Sequence, residues 1–440
     1  MILSDPTRLR LLAAIEGDTL VFLCGAGLSI PAPSNLLSAQ AVAIRCFDKW
    51  NTTEALPSNL RDNIDLLAAH FHEAGTFRSP FISRLVPWDD LVGLPNAGHA
   101  AIADLLISRA AVAALSANFD TLIERWAELH KVAFQGSLTG EEAVDAAAVR
   151  SPLLKFHGCM SLARDLTLWT HRQLEDPLIK PRIESCTRWI RLHLRGKHLV
   201  VVGFWSDWGY LNDAIAAAFE ESGPSSVTVI DPSTTTELQA KAPTLWAKLT
   251  TTSVLFEHIS ASGADALSEL RTEYSRAWAR KYYALGEALL HTEGQPVTVS
   301  NPFDTLGLDA LYDLRRDAEG TSHSRAARCK TPHGSAAQAA AAHALYLNKS
   351  AIQRGSSLLW NGKTYRIVNG AGRGLAEMRD QYGESPSIVP PDVIVCAGAV
   401  DLGVPAKVIA SGLGASVVRP AGGSGSVWYT FDQARAELDS

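Results

Sequence analysis

Several absences narrow the reading before any motif is considered. No apolar run approaches the roughly 18 residues that a membrane span needs. The stretch from Met1 to Gly17 carries Asp5 and Glu16 and has no small-residue cleavage site. A membrane protein and an exported one are both disfavoured, and the expected location is the cytoplasm. The six cysteines (Cys24, Cys46, Cys159, Cys186, Cys329, Cys396) include no Cys-x-x-Cys pair. That spacing supports neither a cysteine zinc ribbon nor a disulfide framework, so no metal is expected. There is no internal repeat and no excess of positive charge. The formal net charge of −6 disfavours direct nucleic-acid binding, a local patch aside. What is present is 440 residues, 47% hydrophobic and 20% charged, the composition of a globular chain of two or three domains.

From Leu20 to about Leu290, apolar runs of strand length alternate with longer helical patterns, which predicts an α/β domain with a mostly parallel sheet. The strand candidates are Leu20 to Cys24, Ala111 to Ser116, Leu153 to Phe156, His198 to Gly203, Val227 to Ile230 and Ser253 to Phe256. The first and second are separated by helical patterns at Ser38 to Trp50, Arg61 to Glu73 and His99 to Arg109, too long for a crossover. A helical insertion beside the first turn could cap a ligand. A long helix over Ala261 to His291 closes this domain, and Gly294, Pro296 and Pro302 mark a boundary, giving domains 1–295 and 296–440. The second, smaller α/β domain has an Ala-rich helix from Ser335 to about Leu347 and a β-hairpin over Leu358 to Val368 on the Asn361-Gly362 turn. Strand candidates follow at Val393 to Cys396 and Val427 to Phe431.

The first strand runs into Gly25-Ala26-Gly27-Leu28-Ser29 and then into a helical segment. Glycine lets the backbone approach a phosphate, and the free N–H groups of a helix start favour an anion. The third glycine of the dinucleotide fingerprint is missing. Asp48, about 20 residues on, lies in a helical pattern instead of at a strand end, so it reads as a solvated helix residue and hydride-transfer chemistry loses its support.

Three further strand ends carry polar groups, and in an open parallel sheet such loops gather at the carboxyl edge. Asn118-Phe119-Asp120 follows the second strand, where a helix N-cap is the plain reading. His157-Gly158 follows the third; a lone histidine there is more often structural, although its titration range suits acid–base work. Gly203-Phe204-Trp205-Ser206-Asp207-Trp208 follows the fourth, with a capped helix start and packing tryptophans as the plain reading.

Taken together, Gly25 to Ser29, Asn118 to Asp120, His157-Gly158 and Gly203 to Ser206 resemble the sirtuin superfamily, in its order, over about residues 18 to 235. The resemblance implies a Rossmann-like fold of the sirtuin and deoxyhypusine-synthase kind, with NAD+ as substrate. It implies that Gly25, Ala26, Gly27 and Ser29 wrap the pyrophosphate, and that Asn118 and Asp120 face the nicotinamide ribose. His157 is then the catalytic base, Gly203 and Ser206 contact the adenosine side, and Asp231 is an acceptor near the adenine ribose.

Three departures matter. Between Gly158 and Gly203 only Cys159 and Cys186 are found where sirtuin deacylases carry a four-cysteine zinc module. Ala117 stands where they have glutamine, and Ile30 to Asn35 lacks their Asp-Phe-Arg segment. The chain therefore resembles the zinc-less bacterial branch found in antiphage systems. That resemblance implies an NAD+ glycohydrolase releasing nicotinamide and ADP-ribose in abortive infection. It also implies control through a homo-oligomer or a partner such as a HerA-type translocase ATPase or an Argonaute-like module. The alternatives are a non-catalytic NAD or ADP-ribose sensor, and a deacylase or ADP-ribosyltransferase. Two features are left over. Gly370-Ala371-Gly372-Arg373-Gly374 and Gly422-Gly423-Ser424-Gly425 suit a nucleotide signal, a partner, or plain connecting loops. Arg182, Arg188, Arg191 and Arg195 precede the fourth strand, the last three on one helix face.

Overall fold

Ser4 accepts a hydrogen bond from the Thr7 N–H and so caps helix α1 (Asp5–Glu16), after which the chain enters β1 (Leu20–Cys24), buried along its whole length. The computed structural model describes residues 1–222, 226–250, 254–299, 302–383, 390–400 and 426–439. They form two units, one of Met1–Glu128 and Ala133–Leu270, the other of Leu129–Val132 and Arg271–Ser440.

In the first unit, β1 is followed by α2 (Ala39–Asn51), α3 (Ile64–Glu73) and α4 (Ala97–Ile107), capped by Ser38, Asn63 and Asn96. Then come β2 (Ala113–Ser116), α5 (Leu122–Leu129), α6 (Gly140–Ala147), β3 (Leu153–Lys155), α7 (Lys180–His193) and β4 (His198–Val202). The unit continues with α8 (Gly209–Ser222), β5 (Ser226–Ile230), α9 (Thr235–Lys241), α10 (Pro243–Leu249), β6 (Leu255–Ile259) and the start of α11 (Gly263–Thr292). The six strands are all parallel, in the order β3-β2-β1-β4-β5-β6. This is the Rossmann order, and it reverses direction between β1 and β4, the crevice where such sheets take ligands. Strands covered on both faces read as unbroken apolar runs, which is why β1 and β4 are plain in the sequence.

The edge strand β6 is less plain. It reads through Glu257 and His258, and Glu257 accepts from Thr7 Oγ1 at 2.6 Å and pairs with Arg10, both on α1. These polar residues shift the strand beyond the apolar run that starts at residue 253. Asp48 lies on α2 in an exposed bidentate pair with Arg61, 2.9 Å at both contacts, as a solvated helix residue should.

The insertion builds its own core from Val42, Phe47, Leu67, Phe71, Phe81 and Trp88, closed by Met160 and Trp169 from the segment after β3. Phe119 packs against that core, its ring 4.5 Å from Trp169.

The second unit holds the rest of α11, then α12 (Leu308–Glu319), α13 (Ala337–Asn348), β7 (Ile352–Arg354), β8 (Ser357–Trp360), β9 (Lys363–Asn369), α14 (Leu375–Gly383), β10 (Val393–Ala397), β11 (Val427–Thr430) and α15 (Phe431–Asp439). Its sheet runs β11-β10-β9-β8-β7, parallel from β9 to β11 and antiparallel from β7 to β9. Asn361 and Gly362, with φ of 47° and 75°, turn the expected hairpin between β8 and β9. The change of unit falls at Leu270/Arg271, inside α11, whereas the punctuating Gly294 and Pro296 come where that helix has ended. A helix continuing from one unit into the next leaves no break in composition.

Candidate active site

The crossing of the β1 and β4 turns is the foundation of the site. Gly25 N–H donates to Val202 O at 3.1 Å and Gly27 N–H to Gly203 O at 2.9 Å. A Cβ at Gly27 would lie 2.8 Å from the Gly203 Cα, and one at Gly203 would lie 2.3 Å from the Leu28 N. Gly203 also has φ of +62°, so both turns need glycine to cross. The space that a side chain would take is filled by backbone of the opposite turn. No long helix starts here: Ala26–Leu28 make a single 3₁₀ turn, and α2 begins at Ala39. With Leu28 N and Ser29 N bonded to Gly25 O and Ala26 O, four of the turn's amides already have backbone acceptors.

Ser29 is the hub of the polar cluster. Its Oγ lies 2.9 Å from Asp120 Oδ2, 3.2 Å from Asn118 Nδ2 and 3.1 Å from His99 Nε2. The carboxylate only accepts, so Ser29 donates its proton to Asp120 and accepts from Asn118 and His99. The His99 proton must therefore sit on Nε2, and Nδ1 is left to accept from the Asn96 N–H at 3.2 Å. Burial pushes His99 down to about 4, with Asp120 opposing and Lys155 adding to the fall, so the neutral form is the one the network needs. Asn118 spends its other amide hydrogen on Gly25 O at 3.1 Å, so both of its donors are used within the cluster and Oδ1 is its acceptor.

Alternation along the β2 loop explains its motif. Asn118 and Asp120 turn to Ser29, and Phe119 between them turns to the insertion's core. Lys155, at the end of β3, anchors this loop from behind. Its ammonium donates to Asp120 O and lies 3.2 Å from Glu124 Oε1 and 3.4 Å from Cys159 Sγ. Burial works against that charge, but Glu124, Cys159 and Asp120 outweigh it and hold Lys155 above its ordinary range.

His157 is 5% exposed. Its Nε2 lies 3.0 Å from the Tyr210 hydroxyl, and its ring meets Trp208 edge-on with centroids 4.5 Å apart. Burial first, then the charges of Arg182 and His171, push His157 down to about 3. His171 is its opposite. Nδ1 faces Asp65 Oδ1 at 3.0 Å and Nε2 faces Asp207 O at 3.2 Å, so both ring nitrogens are donors. The Asp65 hydrogen bond raises it above the usual histidine range. The His171 ring stacks on Trp208 at 4.2 Å and borders a cavity of about 350 Å³ between α3 and the Thr170–Arg172 turn.

The remaining residues singled out in the sequence lie further along the sheet edge. Ser206 is exposed. Asp207 accepts from Leu245 N at 2.7 Å and Thr244 N at 3.2 Å, capping α10. Asp231 follows β5 and accepts from Ser233 N at 2.9 Å. Among the described residues, no hydrogen bond joins Ser206 or Asp231 to the Ser29 cluster. Gly25, Ser29, Asn118 and Asp120 are thus brought into direct contact, and Gly203 crosses beneath them.

Sequence reasoning missed Asn96, His99 and Tyr210. Asn96 with His99 at the third helical position forms a capping box, which was a usable signal. Nothing near Tyr210 points to His157.

Residues 112–253 match the SIR2-like domain family. The SIR2-like match takes in Asn118, Asp120, His157, Gly203, Ser206 and Asp231, and stops short of the Gly25 turn. No curated protein matches the chain. Among solved structures, a Sir2 homolog–NAD complex aligns at 15% identity over 60% of this chain and 91% of its own, with a TM-score of 0.35. A structure described under the mechanism and regulation of Sir2 enzymes aligns at 14% over 62% and 97%, TM-score 0.34. One concerned with sirtuin substrate affinity aligns at 12% over 60% and 97%, TM-score 0.33.

In the second unit, the Gly370 to Gly374 loop follows β9, but its groups are spent internally. Gly370 N bonds Ala397 O, Gly372 N bonds Gly398 O, and Arg373 reaches Gly320 O, Asn369 O and Gln381. That is the pattern of a connecting loop. The Gly422 to Gly425 segment lies outside the described residues. No helix among them is long and apolar enough to cross a membrane.

Proposed function

We propose that this SIR2-like unit hydrolyses NAD+ to nicotinamide and ADP-ribose. The observation that carries the reading is the Asn118–Ser29–Asp120 cluster at the reversal of strand order, with the Asn118 carbonyl oxygen left over as an acceptor. The nicotinamide of NAD+ is a cationic leaving group. When its bond to C1′ breaks, the electron pair stays on the pyridine nitrogen, and a water oxygen bonds to C1′. Asn118 Oδ1 orients that water, or the ribose hydroxyls, and the water's proton passes to His157. Positioning supplies much of the acceleration, and the base contributes roughly 10²–10⁴-fold. Gly25, Ala26, Gly27, Ser29 and Gly203 then flank the pyrophosphate, with Asp120 on the ribose side and Ser206 and Asp231 toward the adenosine. No metal takes part in this scheme.

At the level of the cell, the reading is an antiphage effector in the cytoplasm, silent until triggered. It is held as a homo-oligomer or with a HerA-type ATPase or Argonaute-like partner, through residues 296–440. Incubating the purified protein with NAD+, alone and with its genomic neighbour, and following nicotinamide tests this. Release that persists at the parental rate in Asn118→Ala sinks the assignment.

A second reading, an NAD or ADP-ribose sensor, is favoured by one observation: His157 Nε2 already faces Tyr210, and the ring lies in a setting that suppresses its basicity. ADP-ribose binding without nicotinamide release in any of those mixtures would decide for it.

A further inference from the structure

Of the four arginines that precede β4, three are exposed and one turns inward. Arg188, Arg191 and Arg195 face solvent, whereas Arg182 is 8% exposed. Its Nη1 donates to Leu166 O at 2.8 Å, but Nε and Nη2 have no hydrogen-bond partner among the described residues. The ionisable groups that act on it are Cys186 and Tyr210, neither of them a carboxylate. A buried guanidinium with unmatched donors is costly, and among the described residues Arg182 is the arginine with two such nitrogens.

The surroundings name the partner's charge. Arg182 lies in the first turn of α7, whose start has no side-chain cap and no acidic residue. Of the N–H groups at that start, Lys180 N is taken by Asp176 O at 2.8 Å and Pro181 has none, so the open charge is the guanidinium's own. Nη1 also lies 3.4 Å from where a Cβ would stand at Gly158, the residue after His157. Arg182 thus stands beside the base of the proposed reaction with two nitrogens unmatched among the described residues, and no carboxylate is among the groups that act on it.

We propose that Arg182 is the receptor for a phosphate oxyanion presented beside His157. The planar fork suits two phosphate oxygens at once. The anion has two sources of the same chemistry: the diphosphate of a nucleotide, which rests on the NAD+ reading, or free phosphate acting as an effector. Either one neutralises the cation that opposes a second positive charge on His157. Proton acceptance is then tied to occupation of the receptor.

The test uses the full chain as wild type and Arg182→Met, in anion-poor buffer, with inorganic phosphate and ADP-ribose as probes. The expected result is that phosphate raises the wild-type Tm and shifts the His157 ring proton signals, while Arg182→Met responds in neither measurement. Without phosphate, Arg182→Met should melt above wild type, because an unpaired buried charge has been removed. An arginine that only packs would give a lower Tm there, and that result, or an equal phosphate response in both proteins, overturns the proposal. Should Arg182→Met not fold, Arg182→Lys replaces it. Phosphate affinity weakened by about tenfold or more supports the receptor, and an unchanged affinity overturns it. ADP-ribose that displaces phosphate identifies the nucleotide source, and simultaneous binding identifies the free anion. An Arg182-dependent phosphate response without ADP-ribose binding sinks the NAD+ reading and leaves the receptor standing.

Discussion

His157 Nε2 lies 3.0 Å from the hydroxyl of Tyr210, a half-buried residue packed against the first unit's core, and Trp208 meets the imidazole edge-on. The phenol, raised well above its ordinary range by burial and next by Cys186, stays protonated, and with the His157 proton on Nδ1 it donates to Nε2. It therefore stabilises the neutral imidazole, the form that burial also favours.

Tyr210→Phe removes that donor. Since the lost hydrogen bond served the neutral ring, the His157 titration midpoint should rise from about 3. Following the His157 ring protons by NMR across pH checks this. A midpoint that stays where it was would show that the phenol does not govern the base.

Ser29→Ala leaves two donors, Asn118 Nδ2 and His99 Nε2, and the Asp120 carboxylate each short of a partner. The expected loss is about 1–3 kcal/mol of stability, read as a lower urea midpoint at unchanged slope. Nicotinamide release should fall with it, since Asn118 loses a contact that aims it. Full stability in the variant would mean that the hub is not formed in solution.

Acid should weaken the first unit before its carboxylates titrate. His99 and His198 are pushed down to about 4, both by burial first, from an unfolded value near ~6.5. Between those values the unfolded chain binds more protons than the folded one, so through these two histidines stability falls as pH drops from ~6.5 to ~4, and they add nothing further below. His198, buried and 2.6 Å from Ser226 Oγ through Nδ1, contributes at most about 3 kcal/mol to that slope. His198→Gln should flatten the slope in urea melts taken at stepwise pH. An unaltered slope counts against the buried neutral histidine.

Gly203→Ala combines a left-handed backbone with a Cβ 2.3 Å from the Leu28 N. Because the obstacle is backbone and not a flexible side chain, the β1 and β4 turns must separate. We expect more than about 2 kcal/mol of destabilisation and loss of ADP-ribose binding. Gly209→Ala, where a Cβ meets nothing within 4 Å, is the neutral control in the same denaturation series.

The strands of the first sheet were legible because β1 and β4 are covered on both faces and leave unbroken apolar runs. Their carboxyl ends were legible too, since glycine, asparagine and histidine interrupt such runs abruptly at residues 25, 118, 157 and 203. β6 was blurred because Glu257 answers to α1, and the division of units was hidden inside the continuous pattern of α11.

Local pattern was enough to set which strands form and which loops share an edge, because burial and strand ends leave marks within a few neighbouring residues. The site itself depends on contacts made at long range. Ser29 meets His99 and Asp120 only because α4 and the β2 loop converge on the β1 turn. Gly25 and Gly27 owe their lack of a Cβ to Gly203, a constraint that neighbouring residues do not record. The same holds for His157, a histidine at a strand end in the sequence and a neutral, tyrosine-bonded imidazole once Trp208, Tyr210 and Arg182 close around it.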